Sequence, residues 1–251
     1  MHITLKREPQ LRLMRESGAI TATILQLLKK SVKAGMTTKD LDIIAEREAK
    51  SLGAKPAFKG YNGFPGSVCI SINDQIVHGI AGNRIIEDGD IVSFDFGVSV
   101  GGFYSDSAIT VPVGEVSTLA QNLLAATEGS LMAGIARAHA GARLGDVSSA
   151  VQNYAENLGF SVIREYTGHG VGRELHEDPL VPNFGVAGRG LELKNGMTLA
   201  IEPMLATGTW KTKVGADHWL VSTLDGGLSA HFENTICVRN GEAEILTKIN
   251  E

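Results

Sequence analysis

The sequence holds only two cysteines in 251 residues, Cys69 and Cys237, and they form no CxxC pair. That excludes a disulfide framework and a zinc ribbon, leaves both thiols as inert core residues, and fits a reducing compartment. No window approaches the roughly 18 consecutive apolar residues of a membrane span. The opening stretch MHITLKREPQLRLMRESG has no apolar core of the kind a signal peptide carries. The expected address is therefore the cytoplasm, with no membrane partner. An excess of basic charge is missing too: the formal net charge is -5. The runs LKK at Leu28 and WKTK at Trp210 are too short to form a patch, so no nucleic-acid partner is expected.

Several familiar motifs are also absent. GHGVGR fails the dinucleotide fingerprint GxGxxG because Arg173 stands where glycine is required. HEDPL at His176 lacks the second histidine of HExxH. There is no P-loop and no coiled-coil heptad. GVSVG, from Gly97 to Gly101, does match GxSxG, which makes Ser99 a candidate nucleophile. Such an elbow needs a strand, a sharp turn and a helix, whereas GFYSDSAITV reads as a second strand. Ser99 is read as a hairpin-tip serine, and a serine hydrolase using it is a minor alternative.

What is present is a composition ordinary for a globular protein, 43% hydrophobic and 20% charged. Apolar residues recur at helical spacing from Glu8 to Leu52, interrupted at Gly-Met-Thr-Thr. Thr38 suits a helix N-cap and Gly53 a helix stop. The chain then repeats itself. AGMTTKDLDIIAEREAKSLG, shifted by 106, overlays AGARLGDVSSAVQNYAENLG without a gap, placing Gly35, Asp40 and Gly53 on Gly141, Asp146 and Gly159. GDIVSFD overlays GMTLAIE at a shift of 107, and DSAITVPVGE overlays ENTICVRNGE at a shift of 127. The unit is helices followed by a β-hairpin, and the second hairpin has a longer tip. Two such copies, roughly 8–115 and 116–251, are expected to pack about a pseudo-two-fold axis as one catalytic domain spanning 1–251. In this overlay Asp95 matches Glu202 and Asp106 matches Glu233.

Strands disfavour Asp, and buried carboxylates are costly unless they are paired or bound to metal. Four carboxylates meeting near an axis repel one another, and two divalent cations balance their charge. A two-metal site activates water and polarises a carbonyl or phosphoryl group. A nitrogen ligand would favour a transition metal. Of seven histidines, His169 is flanked by Gly168, Gly170 and Gly172, which let the backbone come close to a bound group. His176 follows seven residues later, and His78 follows the strand-like SVCISI. His139 reads as a surface residue on a helix. His2, His218 and His231 carry no assignment.

DIVSFDFGVSVGGFYSDSAIT, GHGVGRELHEDP, MTLAIEPM and FENTICV lie in the order of the motif blocks of type I methionine aminopeptidases, and the chain resembles that family over nearly its whole length. The resemblance implies an α+β pita-bread fold, with duplicated helix-plus-hairpin halves around a curved, mostly antiparallel sheet. It implies removal of the initiator methionine from nascent polypeptides by a hydroxide bridging two divalent metals, Co, Mn, Fe(II) or Zn. Asp95 would be a terminal ligand of one metal, Asp106 and Glu233 would bridge both, and His169 and Glu202 would complete the other. Glu202 would shuttle the proton, His176 would stabilise the tetrahedral intermediate, and His78 would orient substrate near the leaving amide nitrogen.

By position, Tyr61, Phe64, Cys69, His78, Leu175 and Trp219 would line the substrate pocket together with His176. Phe58, Phe64 and Leu175 stand where many relatives carry Cys, Tyr and Phe. A methionine side chain gains from such aromatic contacts. Prolidases and aminopeptidase P share these ligands behind a separate N-terminal domain, and only about ninety residues precede Asp95 here. A prolidase-like Xaa-Pro peptidase is the alternative. The partner implied is a peptide N-terminus, in a nascent chain near the ribosome, and a monomer is expected.

Overall fold

The structure is a computed structural model and describes residues 3–249. His2 lies outside the described residues. The first half runs α1 (Glu8–Ser31), α2 (Thr38–Ser51), β1 (Lys55–Pro56), β2 (Cys69–Ile72), β3 (Gln75–Val77), β4 (Ile91–Val100) and β5 (Phe103–Pro112). The second half opens with α3 (Thr118–Ile135), α4 (Leu144–Asn157), β6 (Ser161–Val162), β7 (Gly168–Gly170) and β8 (Glu177–Val181). It continues with β9 (Thr198–Ile201), β10 (Met204–Ala206), β11 (Thr212–Val214), β12 (Val221–Thr223), β13 (Ser229–His231), β14 (Glu233–Cys237) and β15 (Glu244–Ile245).

The repeat read from the sequence is a repeat of hydrogen bonds. The shift of 106 carries α2 onto α4 at both ends. Gly35 and Gly141, which open the turns before these helices, have φ of 89° and 88°, a conformation that only glycine adopts without strain. Gly35 N donates to Ile86 O at 2.8 Å and Gly141 N to Leu193 O at 2.9 Å. Ile86 N and Leu193 N return bonds of 2.8 Å to Met36 O and Ala142 O. The N-cap of α2 is Thr37 rather than Thr38. Its backbone N–H donates to Asp40 Oδ2 at 2.8 Å, and its hydroxyl accepts from Asp40 N at 3.2 Å. This reciprocal capping box satisfies two donors that the first turn leaves free. In α4 the N-cap is Arg143, which keeps only the backbone half of the box, a 2.7 Å bond to Asp146 Oδ2.

A nine-stranded sheet joins the two copies in the order β1-β4-β5-β14-β9-β7-β8, with β2 also on β4 and β15 also on β14. All its ladders are antiparallel. The central pair β5–β14 brings Glu233 opposite Ala108, and α1 packs across β4 and β5. Each copy has its own core. Leu25, Leu28, Leu41, Phe94 and Phe96 are among the buried residues of the first, and Leu131, Val147, Leu199 and Ile236 of the second.

The hairpins differ. β4 and β5 turn through Gly101 and Gly102, at φ of 57° and 76°, as a tight two-residue hairpin requires. Ser99 lies in β4, paired with Tyr104 on one side and Lys55 on the other, so no strand–turn–helix elbow exists there. The second hairpin continues through β10 and β13 before it opens into β11 and β12, of which β12 pairs with β3 of the first half.

Register corrects one match in the overlay. Val113 N bonds to Asp90 O and Val238 N to Met197 O, both at 2.8 Å. These equivalent bonds set the second strand of the hairpin at a shift of 125, not 127. The two-fold register therefore carries Asp95 onto Glu202, as expected, but Asp106 onto His231 and Ala108 onto Glu233. The two shifts differ by two residues, so either keeps the side chains on one face of the sheet. Matching by residue type alone could not tell them apart.

Candidate metal centre

Asp95 and Asp106 come from adjacent strands of the first hairpin, Glu202 from the segment after β9, Glu233 from the start of β14, and His169 from β7. All five line one cavity of about 560 Å³, within the usual range for a small-molecule site. Asp106, His169 and Glu233 present ligand atoms that all lie within 4.8 Å of one another. His169 Nε2 is 3.6 Å from Glu202 Oε1 and 3.9 Å from Asp106 Oδ2. The backbone holds these groups firmly. Thr235 Oγ1 accepts from Asp106 N at 2.9 Å and donates to Asp106 O at 2.7 Å, and Ser107 Oγ donates to Glu233 O at 2.6 Å.

Several carboxylate oxygens, by contrast, lack partners. Asp95 Oδ1, Asp106 Oδ1 and Glu233 Oε1 are buried with no hydrogen bond to any described residue. Native proteins rarely leave buried polar atoms so. Burial, above all, lifts the carboxyls out of the usual carboxylate range, and the charges of their neighbours add to this. Asp95 is pushed up to about 7 by burial, against a hydrogen bond with Asp106 that lowers it. Asp106 is raised by burial and then by Asp95 and Glu202; Glu233 is raised by burial and then by Asp106. Glu202 is raised by burial and then by Asp95. Without a cation, such a quartet must hold protons.

His169 is prepared for the opposite role. Burial lowers it to about 3, with His176 adding to the shift, so it is neutral at pH 7. Its Nδ1 lies 2.8 Å from Gly170 O, and a carbonyl can only accept, so Nδ1 carries the proton and Nε2 keeps its lone pair. The flanking glycines serve packing. A Cβ on Gly168 would strike the carbonyl of Ala200, and one on Gly170 the carbonyl of Asp178. They let the neighbouring strand backbones approach, rather than a bound group. Four carboxylates and one neutral imidazole, with orphaned oxygens among them, fit a divalent cation of borderline softness.

The other expected residues gather around the same cavity. Tyr61, Phe64, Cys69, His78, Leu175, His176 and Trp219 all line it, as do Phe58, Val77, Tyr166, Thr167 and Leu180. Phe58, Phe64, Cys69 and Leu175 form one buried apolar cluster, and Trp219 packs edge-on against Phe64 at 5.2 Å between centroids. His176 lies against His169 with the rings tilted at 41° and 4.1 Å between centroids, and shares a 2.9 Å hydrogen bond with Tyr61 Oη through Nδ1. Its loop is tied down by Glu177, which accepts from Arg173 N at 2.7 Å and pairs with the buried Lys6. His78 is held at φ 61°, a left-handed conformation that costs a non-glycine residue about 1–3 kcal/mol. Ser99 does not line the cavity.

Two histidines differ from expectation. His139 is exposed but lies in a bridge to Arg239 beyond the end of α3, not on a helix. His231, unassigned in the sequence, is 1% exposed, and its Nε2 lies 3.8 Å from Glu202 Oε2 and 4.0 Å from Glu233 Oε2. Strand alternation, which puts residues 231 and 233 on one face, was the signal available for it. His218 stays exposed in a turn. Tyr166, Thr167 and Leu180 flank β7 and β8 in the second half and carried no motif.

Comparison with known proteins agrees with this geometry. The profile of metallopeptidase family M24 matches residues 12–240. Methionine aminopeptidase 1 of Bacillus subtilis (strain 168) is 50% identical over 247 residues, covering 98% of this chain and 100% of that one. The crystal structure of methionine aminopeptidase from Thermotoga maritima superposes with a TM-score of 0.97 at 43% identity, over 98% of this chain and 100% of that one. Prolidase from Pyrococcus furiosus shares the fold, with a TM-score of 0.79 at 21% identity, over 98% of this chain but 66% of that one.

Proposed function

The chain belongs to metallopeptidase family M24, and from that premise we propose that it is a metal-dependent aminopeptidase removing N-terminal methionine from polypeptides. The observation that carries this reading is the meeting of Asp95, Asp106, His169, Glu202 and Glu233 at one cavity, with buried carboxylate oxygens that have no partner. Two divalent cations would balance the four carboxylates, and Asp95, Asp106, His169, Glu202 and Glu233 would hold them. Once bound, the cations supply Lewis acidity towards a peptide carbonyl and make water acidic enough to ionise near neutral pH. Co, Mn, Fe(II) and Zn all suit this donor set.

The chain's own side chains perform the rest. Glu202 keeps 13% of its side chain accessible within the cavity and has a raised pKa. Such a carboxyl accepts a proton from water and passes it to the leaving amine nitrogen. His176 donates to the substrate carbonyl oxygen as negative charge develops there, and Tyr61 and His169 fix its ring. His78 orients the amide on the leaving side. Phe58, Phe64, Cys69, Leu175 and Trp219 enclose the methionine side chain, whose thioether gains from aromatic edges. The whole chain acts as one catalytic unit on peptide N-termini, with nascent chains in the cytoplasm as the natural substrates. Ser99, outside the cavity, has no part.

A peptide library assayed with and without metal tests this reading. Exhaustive chelation abolishes cleavage of Met-Ala-Ser peptides, Mn(II) or Co(II) restores it, and Met followed by a small residue is preferred over Xaa-Pro. Full activity after chelation rejects the metal reading, and a strong Xaa-Pro preference favours a prolidase-like peptidase.

A further inference from the structure

His231 belongs to no motif, yet three observations converge on it. Its ring is buried, and neither Nδ1 nor Nε2 has a hydrogen-bond partner among the described residues. A neutral imidazole carries one N–H that must go somewhere, and leaving it unpaired in the interior costs free energy. The carboxylates of Glu202 and Glu233 lie 3.8 and 4.0 Å from Nε2. These spacings match those of His169 Nε2 to Asp106 and Glu202, at 3.9 and 3.6 Å. The two-fold register, finally, carries Asp106 of the first copy onto His231 of the second. The position that supplies an acid in one half supplies an imidazole in the other.

The backbone at His231 is clamped. Its N–H donates to Thr110 Oγ1 at 2.8 Å, and Thr110 Oγ1 donates to its carbonyl at 2.8 Å. Thr110 Oγ1 is in turn 2.8 Å from Ser93 Oγ. On the other side His231 pairs with Met204 in the β10–β13 ladder. The ring therefore has a fixed base from which to reach two flexible carboxylates.

We propose that His231 is a positioning residue of the metal centre: its Nε2–H is directed at Glu202 and Glu233 and selects which oxygen each carboxylate turns towards the cations. The inference rests on the metal reading above and adds a donor outside the five ligands. A donor that orients a ligating carboxylate restricts its rotation before metal arrives, so its loss weakens binding even though no ligand is removed.

The test compares wild type, His231→Leu and His231→Gln, by titrating Mn(II) into metal-free protein and counting free Mn(II) by electron paramagnetic resonance. Leucine removes the donor at similar volume, whereas glutamine places an amide N–H near the position of Nε2. His231→Leu is expected to weaken Mn(II) binding by about 10- to 100-fold, and His231→Gln to stay within about threefold of wild type. Thermal unfolding of each metal-free variant is followed alongside, so that weakened Mn(II) binding is read only from folded protein. A leucine variant that binds Mn(II) as tightly as wild type overturns the proposal while the metal reading stands. A glutamine variant as weak as the leucine one also overturns it, since a hydrogen-bond donor would then not suffice. If wild type itself binds no Mn(II), the metal reading falls and this inference with it.

Discussion

The two hairpins at the heart of the sheet have the same plan but were given different tasks. The first, β4–β5, closes through Gly101 and Gly102 after ten residues on each side and contributes two short carboxylates, Asp95 and Asp106. The second opens beyond its pairing region into an excursion that builds β11 and β12. From it come Trp219 of the pocket and His231. The asymmetry extends to the neighbouring strand. Ser71 pairs with Ser93 where His169 pairs with Ala200, and the shift of 107 carries Ser93 onto Ala200. The twin of His169 is a serine. In our reading the repeat supplies a common frame, and the second copy differs by adding the nitrogen donor, the longer carboxylates and part of the pocket wall.

The sharpest test of this division compares the twin acids Asp95 and Glu202. Both are ligands in our reading, but only Glu202 also moves a proton. Glu202→Ala is expected to lower kcat by about 10³-fold or more, since it removes a candidate ligand together with the proton carrier. Glu202→Gln should leave the apo fold intact while keeping kcat low. Steady-state kinetics at saturating Mn(II), with metal content measured in parallel, decides the point. A near-wild-type kcat for either variant would remove Glu202 from proton transfer and leave the twins equivalent.

A second effect concerns the metal-free protein. Asp95 sits at about 7 in the fold, well above its value near 3.9 in the unfolded chain. A carboxyl raised in this way contributes stability that is fully present below about pH 4 and is lost as pH rises through about 7. Asp95→Asn cannot ionise and escapes the loss. The variant is expected to be more stable than wild type at pH 8, by on the order of 1–4 kcal/mol, and nearly equal to it at pH 4. Thermal unfolding of chelated protein across this range checks the sign. Divalent metal should reverse it, because cations bind the deprotonated acids.

The smallest effect compares the helices that the repeat overlays. Thr37→Ala removes the hydroxyl half of the α2 capping box and should cost about 1 kcal/mol. Arg143→Ala, at the twin position, removes no capping acceptor and should change stability by less than about 0.5 kcal/mol. Equal losses in denaturant titration would mean that the two caps work by the same contacts.

Much of this was legible before any coordinates. Asp40 and Asp146 at the same place in a gapless overlay announced two equivalent helices, and the hydrogen bonds of Gly35 and Gly141 bear that out. The four candidate acids could be singled out because carboxylates within apolar strand runs are costly without a partner, and His169 joined them through the resemblance to the aminopeptidase motif blocks. Other features were not legible, for specific reasons. Thr37 and Thr38 are adjacent residues of the same type, and only backbone geometry tells the cap from the first helical residue. The wall at Trp219 lies in an excursion whose position depends on β12 pairing with β3 in the other half, and Tyr166, Thr167 and Leu180, at β7 and β8, reach the cavity only through the pairing of those strands. The match of Asp106 with Glu233 failed because residue type is blind to a slip of two along a strand, which leaves every side chain on its face.

The sequence by itself determined the helix-and-hairpin plan and the placement of four candidate acids in apolar surroundings, because periodicity, turn glycines and the cost of buried charge act locally. Only the tertiary structure decided the register of the second hairpin, the closing of the pocket by distant loops and the presence of His231 beside Glu202 and Glu233. The pocket wall follows from β12 pairing with β3 of the other half, and the register from β9 and β10 pairing with β14 and β13 within the second; backbone pairing between separate stretches leaves no mark on either stretch alone.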